Sequence, residues 1–177
     1  ILLPVAVLST SLFALCAALL TIWWLAKWGI LLLSGQTQGI LFILVIGAAT
    51  DYSLLLVARY REELRVTQDA WQACWKALKG SVEPIVASGG TVIAGLLTLT
   101  LSDLKSNSTL GPVTAIGIVF AMVSALTLLP AILVLFGRTA FWPKRPLYEP
   151  EAVAADHSGA SSGLWARISR LLGERPR

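Results

Sequence analysis

Charge is what this sequence has least of. Only 14% of its 177 residues are Asp, Glu, Lys or Arg, against about a quarter in ordinary globular domains. Between residues 1 and 50 the single charged side chain is Lys27. A chain so poor in charge cannot cover itself with water-compatible surface, which argues against a soluble domain. Histidine occurs once, as His157 in a polar stretch, and cysteine twice, Cys16 in an apolar run and Cys74 in a basic segment. Cysteines so placed make neither a disulfide framework nor a metal spacing. No metal and no cofactor are therefore expected. An initiating Met and the basic leader of a signal peptide are also missing ahead of the first apolar run. The expectation is an internal piece of a longer polypeptide.

Apolar residues fill the space that charge leaves. Hydrophobic types make up 56% of the chain, and the mean hydropathy is +0.75. Four stretches are long enough to cross ~30 Å of hydrocarbon at ~1.5 Å per helical residue. They cover about residues 1–26, 39–58, 84–101 and 112–136. The fold class expected is an all-α, polytopic membrane helix bundle over residues 1–137, with a cytoplasmic loop at 59–83. Residues 138–177 read as a cytoplasmic linker. Pro84 and Pro112 fall near expected helix starts, where a missing N–H costs little. Pro130 lies inside the last span and should bend it.

Basic residues set the expected orientation. Arg59, Arg61, Arg65, Lys76 and Lys79 follow the second span, and seven more lie in the tail from Arg138 to Arg177. The other two connections hold only Lys27 and Lys105. The richer side should be cytoplasmic, which puts both ends of the chain on the cytoplasmic side of a plasma membrane crossed several times. Trp23, Trp24 and Trp28 bracket the outer end of the first span, while Trp71, Trp75, Trp142 and Trp165 lie on the basic side. Indoles favour headgroup depth, so their placement agrees with the charge pattern.

Two segments on the basic side are amphipathic. Leu64, Trp71, Cys74, Trp75 and Leu78 fall on one helical face, as do Leu164, Trp165, Ile168, Leu171 and Leu172, with Arg167 and Arg170 opposite. The second forms a basic helix over about 161–173, with Ser161 or Ser162 as cap and Gly173 as stop. Such helices either lie in the interface or pack on the rest of the protein.

Asp51 is the residue that points to function. It lies about twelve residues past Gly39, hence ~18 Å along the helix and near the middle of the bilayer. An aspartate there costs ~2.5–3.5 kcal/mol on insertion scales. Hydrocarbon favours the neutral form of a carboxyl, so Asp51 can exchange protons as water access changes, as a proton relay must. Gly47 and Ala48 lie one turn earlier on the same side and allow close helix approach. Tyr52 sets a phenol about 100° around the helix. Ser88, Gly89, Gly90 and Thr91 offer a small, mildly polar surface on the third span as its expected neighbour. A plainer reading has Asp51 simply hydrogen-bonded to Ser88 or Thr91, tying two helices together.

The run Gly47-Ala-Ala-Thr-Asp-Tyr-Ser-Leu-Leu-Leu-Val-Ala-Arg-Tyr-Arg-Glu-Glu-Leu64 resembles the signature helix of the MmpL family in the resistance–nodulation–division superfamily. Residues 84–96 and 110–137, then Phe141-Trp142-Pro143, resemble later stretches of the same family. The resemblance implies a non-enzymatic transporter of two six-helix repeats, each with a large extracytoplasmic domain. Such proteins export lipids or other hydrophobic compounds, driven by the proton gradient. This chain would supply helices three to six of the first repeat, and Asp51 and Tyr52 would match the relay pair. The implied partners are the bilayer, a missing second repeat with its own pair, and a hydrophobic substrate, with no nucleic acid. Alternatives are a protein-export accessory subunit of the same superfamily and a truncated, non-transporting remnant. An intramembrane aspartyl protease would need a second carboxylate at depth, and the spans contain none.

Overall fold

A computed structural model describes residues 2–31, 34–102 and 105–141, without the side chains of residues 105–107 and 138. The tail helix over 161–173, His157, Trp142 and Trp165 lie outside the described residues. Four long helices follow one another: α1 (Leu2–Lys27), α2 (Gly35–Val66), α3 (Ala70–Leu97) and α4 (Lys105–Phe136). Short 3-10 turns extend α3 through Leu101 and α4 through Phe141. All four are long and apolar enough to cross a membrane. In hydrocarbon a spanning backbone must satisfy its own N–H and C=O groups, which a continuous helix does.

The helix ends are written locally. Gly29, at φ +74°, stops α1: Ile30 N–H donates to Leu25 O and Gly29 N–H to Ala26 O, both at 3.0 Å. This double bond to the last carbonyls needs a left-handed residue, which glycine supplies without a Cβ clash. Ser34 caps α2, its hydroxyl oxygen accepting from Thr37 N–H at 3.1 Å. Asp69 caps α3 through Trp71 N–H, also at 3.1 Å.

Three boundaries differ from the sequence expectation. The connection at 59–83, whose amphipathic spacing already pointed to a helix, divides between two long helices: α2 runs on to Val66 and α3 starts at Ala70. Tyr60 and Leu64 explain the extension: both are fully buried, and Tyr60 Oη donates to Leu133 O of α4 at 3.3 Å. The packing carries the helix past the apolar span. Pro84 consequently lies in the middle of α3, not at a start. Its missing N–H leaves the Gly80 carbonyl without a helical partner, and Gly80 is where the Arg59 guanidinium rests, 3.2 Å from the position a Cβ would take. Pro112 likewise lies within α4, which begins at Lys105.

Helices α2 and α4 form the centre, with α1 and α3 on either flank. Two apolar clusters fill the bundle. One gathers Ala6, Val7, Leu56, Tyr60, Leu64, Cys74, Leu129 and Leu133 near the basic end. The other gathers Ala14, Ala18, Leu41, Val45, Ala49, Tyr52, Ile85, Val113, Ala121 and Ala125. Glycines permit the close approaches. Gly111 sits against the Leu96 carbonyl, and a Cβ on Gly117 would lie 2.5 Å from Val45 Cγ2. The amphipathic face of α3 divides: Cys74 is buried, whereas Trp71 and Trp75 stay 63% and 62% exposed. Cys74 Sγ donates to the Pro130 carbonyl at 3.7 Å.

Candidate functional site

One turn of α2 is polar on every side. Thr50, Asp51, Tyr52 and Ser53 are consecutive, and at 100° per residue they point in four directions. Thr50 turns toward α1, where its hydroxyl lies 3.3 Å from Ser11 Oγ. Tyr52 turns toward α3 and α4 and is 8% exposed. Ser53 is wholly enclosed. Asp51 turns away from the core of its own chain and is exposed.

The exposed carboxyl sits in a groove of about 620 Å³ between α2 and α3. Leu44, Gly47, Ala48, Asp51 and Leu55 form one wall, and Pro84, Ser88 and Val92 the other. Gly47, Asp51 and Leu55 recur at helical spacing, so the acid belongs to a stripe rather than an isolated position. Nothing lies within 4 Å of where a Gly47 Cβ would be. The close helix approach expected at Gly47 is therefore not made by any helix described here.

The other expected neighbours divide. Ser88 shares the groove with Asp51, but its hydroxyl donates to Ile85 O at 3.1 Å. Thr91 donates to Ala87 O at 2.9 Å and faces outward with Gly90. Gly89 packs inward: a Cβ there would collide with Met122 Sδ and lie 3.2 Å from Tyr52 Oη. Among the described residues no hydrogen bond or ion pair reaches Asp51, so it is not a tie to Ser88 or Thr91. Arg59, the next cation along α2, pairs with Glu62 at 3.6 Å.

Sequence reasoning passed over Ser53, Thr50 and Met122. The run of four polar residues in an apolar helix was the available signal for the first two. Met122 carried none, because its contact with Gly89 depends on how α3 and α4 cross. Chemically the groove offers a carboxyl beside bare helix backbone and a phenol one residue away. Among the described residues no cluster of three His, Cys, Asp or Glu side chains forms.

Comparison with known proteins places the chain. The sequence model of the MMPL family matches residues 1–177. A putative membrane protein of Streptomyces coelicolor is 48% identical over 179 residues, covering 100% of this chain and 24% of the relative. An apo-petrobactin exporter of Bacillus anthracis is 37% identical over 126 residues, 71% of this chain and 17% of the relative. A sulfolipid-1 exporter of Mycobacterium tuberculosis is 38% identical over 113 residues, 62% of this chain and 10% of the relative. The chain thus spans a quarter or less of the length of these relatives. No solved structure matches it. By the family match over its whole length, the chain belongs to the MMPL family.

Proposed function

We propose that these four helices are part of a proton-driven exporter of hydrophobic compounds in the plasma membrane, with Asp51 as the carboxylate that takes up and releases the proton. The observation that carries the reading is the direction of Asp51. A lone acid in the apolar part of α2 faces out of its own bundle, beside Gly47, with no partner among the described residues. Left against lipid, such a group is costly. Covered by another protein surface with water access, it becomes a titratable site that a conformational cycle can use.

The covering surface in this reading is the second repeat of the complete protein, which brings its own acid and phenol to the groove. Tyr52, buried with its Oη beside Gly89 of α3, sits one residue from Asp51 and in this reading acts from inside the bundle, on the wall behind the carboxyl. A relative named as a sulfolipid-1 exporter supports a lipid-like molecule as the cargo class. The basic end of the bundle, with Arg59, Arg61 and Arg65, then faces the cytoplasm.

The test is Asp51→Asn in the complete protein. Export should be abolished while membrane insertion and protein level stay normal, because the amide keeps the shape and cannot carry a proton. Substrate reaching the outside at the wild-type rate would refute the relay role. Tyr52→Phe should slow export less, since one hydroxyl is lost and the ring packing kept.

A further inference from the structure

Between the two apolar clusters the bundle contains a layer of hydroxyls. On α1 the layer is Thr10 and Ser11, between Val7 of one cluster and Ala14 of the other. On α2 it is Ser53, between Tyr52 and Leu56. On α4 Ser124 lies between Ala121 and Ala125 of the second cluster, ahead of Leu129 of the first. All four side chains are at most 2% exposed. Thr10 and Ser11 spend their hydroxyl protons on helix carbonyls, donating to Ala6 O at 2.8 Å and Val7 O at 3.0 Å. Their oxygens keep lone pairs free to accept. Ser53 differs: its Oγ is fully enclosed and no protein group lies within hydrogen-bond reach. A helical serine can turn back to the carbonyl four residues earlier, as Ser11 does, and Ser53 makes no such bond.

An enclosed hydroxyl without a protein partner is uncommon in folded proteins, and a bound water or ion is one of the few things that explains it. The donors and acceptors here are neutral hydroxyls, which suits water and gives an ion no compensating charge. We propose that Ser53 Oγ holds a buried water inside the bundle, in the layer it shares with Thr10, Ser11 and Ser124. The water receives the Ser53 proton or donates to its oxygen, and the lone pairs of the α1 hydroxyls are the acceptors available in the same layer for its own protons. Two to four polar partners are what a stable internal water needs. The layer also meets the turn that carries Asp51, because Ser11 contacts Thr50 at 3.3 Å. The site itself does not depend on Asp51 titrating, so it stands or falls separately from the exporter reading.

The experiment is X-ray hydroxyl-radical footprinting of the complete protein in nanodiscs, in which side chains beside tightly bound internal water are oxidised even where bulk solvent is excluded. Wild-type protein should be labelled on the peptides around Ser11 and Ser53, and Ser53→Val should reduce that labelling to background. Absence of labelling in the wild type, or its persistence in Ser53→Val, overturns the site. If the valine variant does not fold, Ser53→Ala decides by the sign of its melting shift. Loss of a water ligand lowers the melting temperature, whereas removal of a merely stranded hydroxyl raises it and refutes the proposal.

Discussion

At the scale of single residues, the glycines separate packing from open surface. Gly111 touches the backbone carbonyl of Leu96, which has no rotamer with which to retreat. Gly89 touches Met122 Sδ, near the end of a pliable side chain. Gly111→Ala should therefore cost ~1–3 kcal/mol as overpacking, and Gly89→Ala less, read as melting temperatures in the same detergent. An equal shift for the two would contradict the contacts described. Nothing in the one-dimensional pattern distinguished these glycines from Gly90 or Gly95, which meet open space. The difference arises only where two helices cross.

At the scale of elements, capping was readable from local sequence and span limits were not. Ser34 before an apolar run and Gly29 after one are ordinary helix punctuation, and both act as such. Ser34→Ala should cost about 1 kcal/mol through loss of the Thr37 N–H partner; a melting point unchanged from wild type would show that the cap is redundant. The extension of α2 through Arg59–Arg65 is not legible from charge, which marks where an apolar span stops and not where a helix stops. Tyr60 and Leu64 point inward while the charged residues point out, so one stretch serves both solvents. Tyr60→Phe leaves the Leu133 carbonyl without that donor and should cost ~0.5–1.5 kcal/mol, measurable by chemical denaturation.

At the scale of the whole molecule, the bundle has an inside and an unfinished side. The polar turn of α2 meets α1 through Thr50 and α3 through Tyr52, and leaves Asp51 on the surface that neither covers. Gly47→Leu should change the stability of this isolated chain by no more than ~0.5 kcal/mol, as at an open surface site. Under the proposed function, in which a second repeat covers this groove, the same change in the complete protein should block that contact and abolish export. A destabilised isolated chain, or unimpaired export by the complete one, would contradict that picture. Asp51→Leu should likewise help the isolated chain insert, by ~3–4 kcal/mol on insertion scales, in a glycosylation-based insertion assay.

The sequence alone determined the all-helical class, the four stretches apolar enough to span and the single acid within the second of them, because these follow from composition and length along one dimension. It also supplied the family, through the order of residues around Asp51 and Tyr52. Only the tertiary structure decided which way each of Thr50, Asp51, Tyr52 and Ser53 faces. A helix spreads consecutive residues around its axis, and which of those directions is core, groove or open surface depends on where the three neighbouring helices lie.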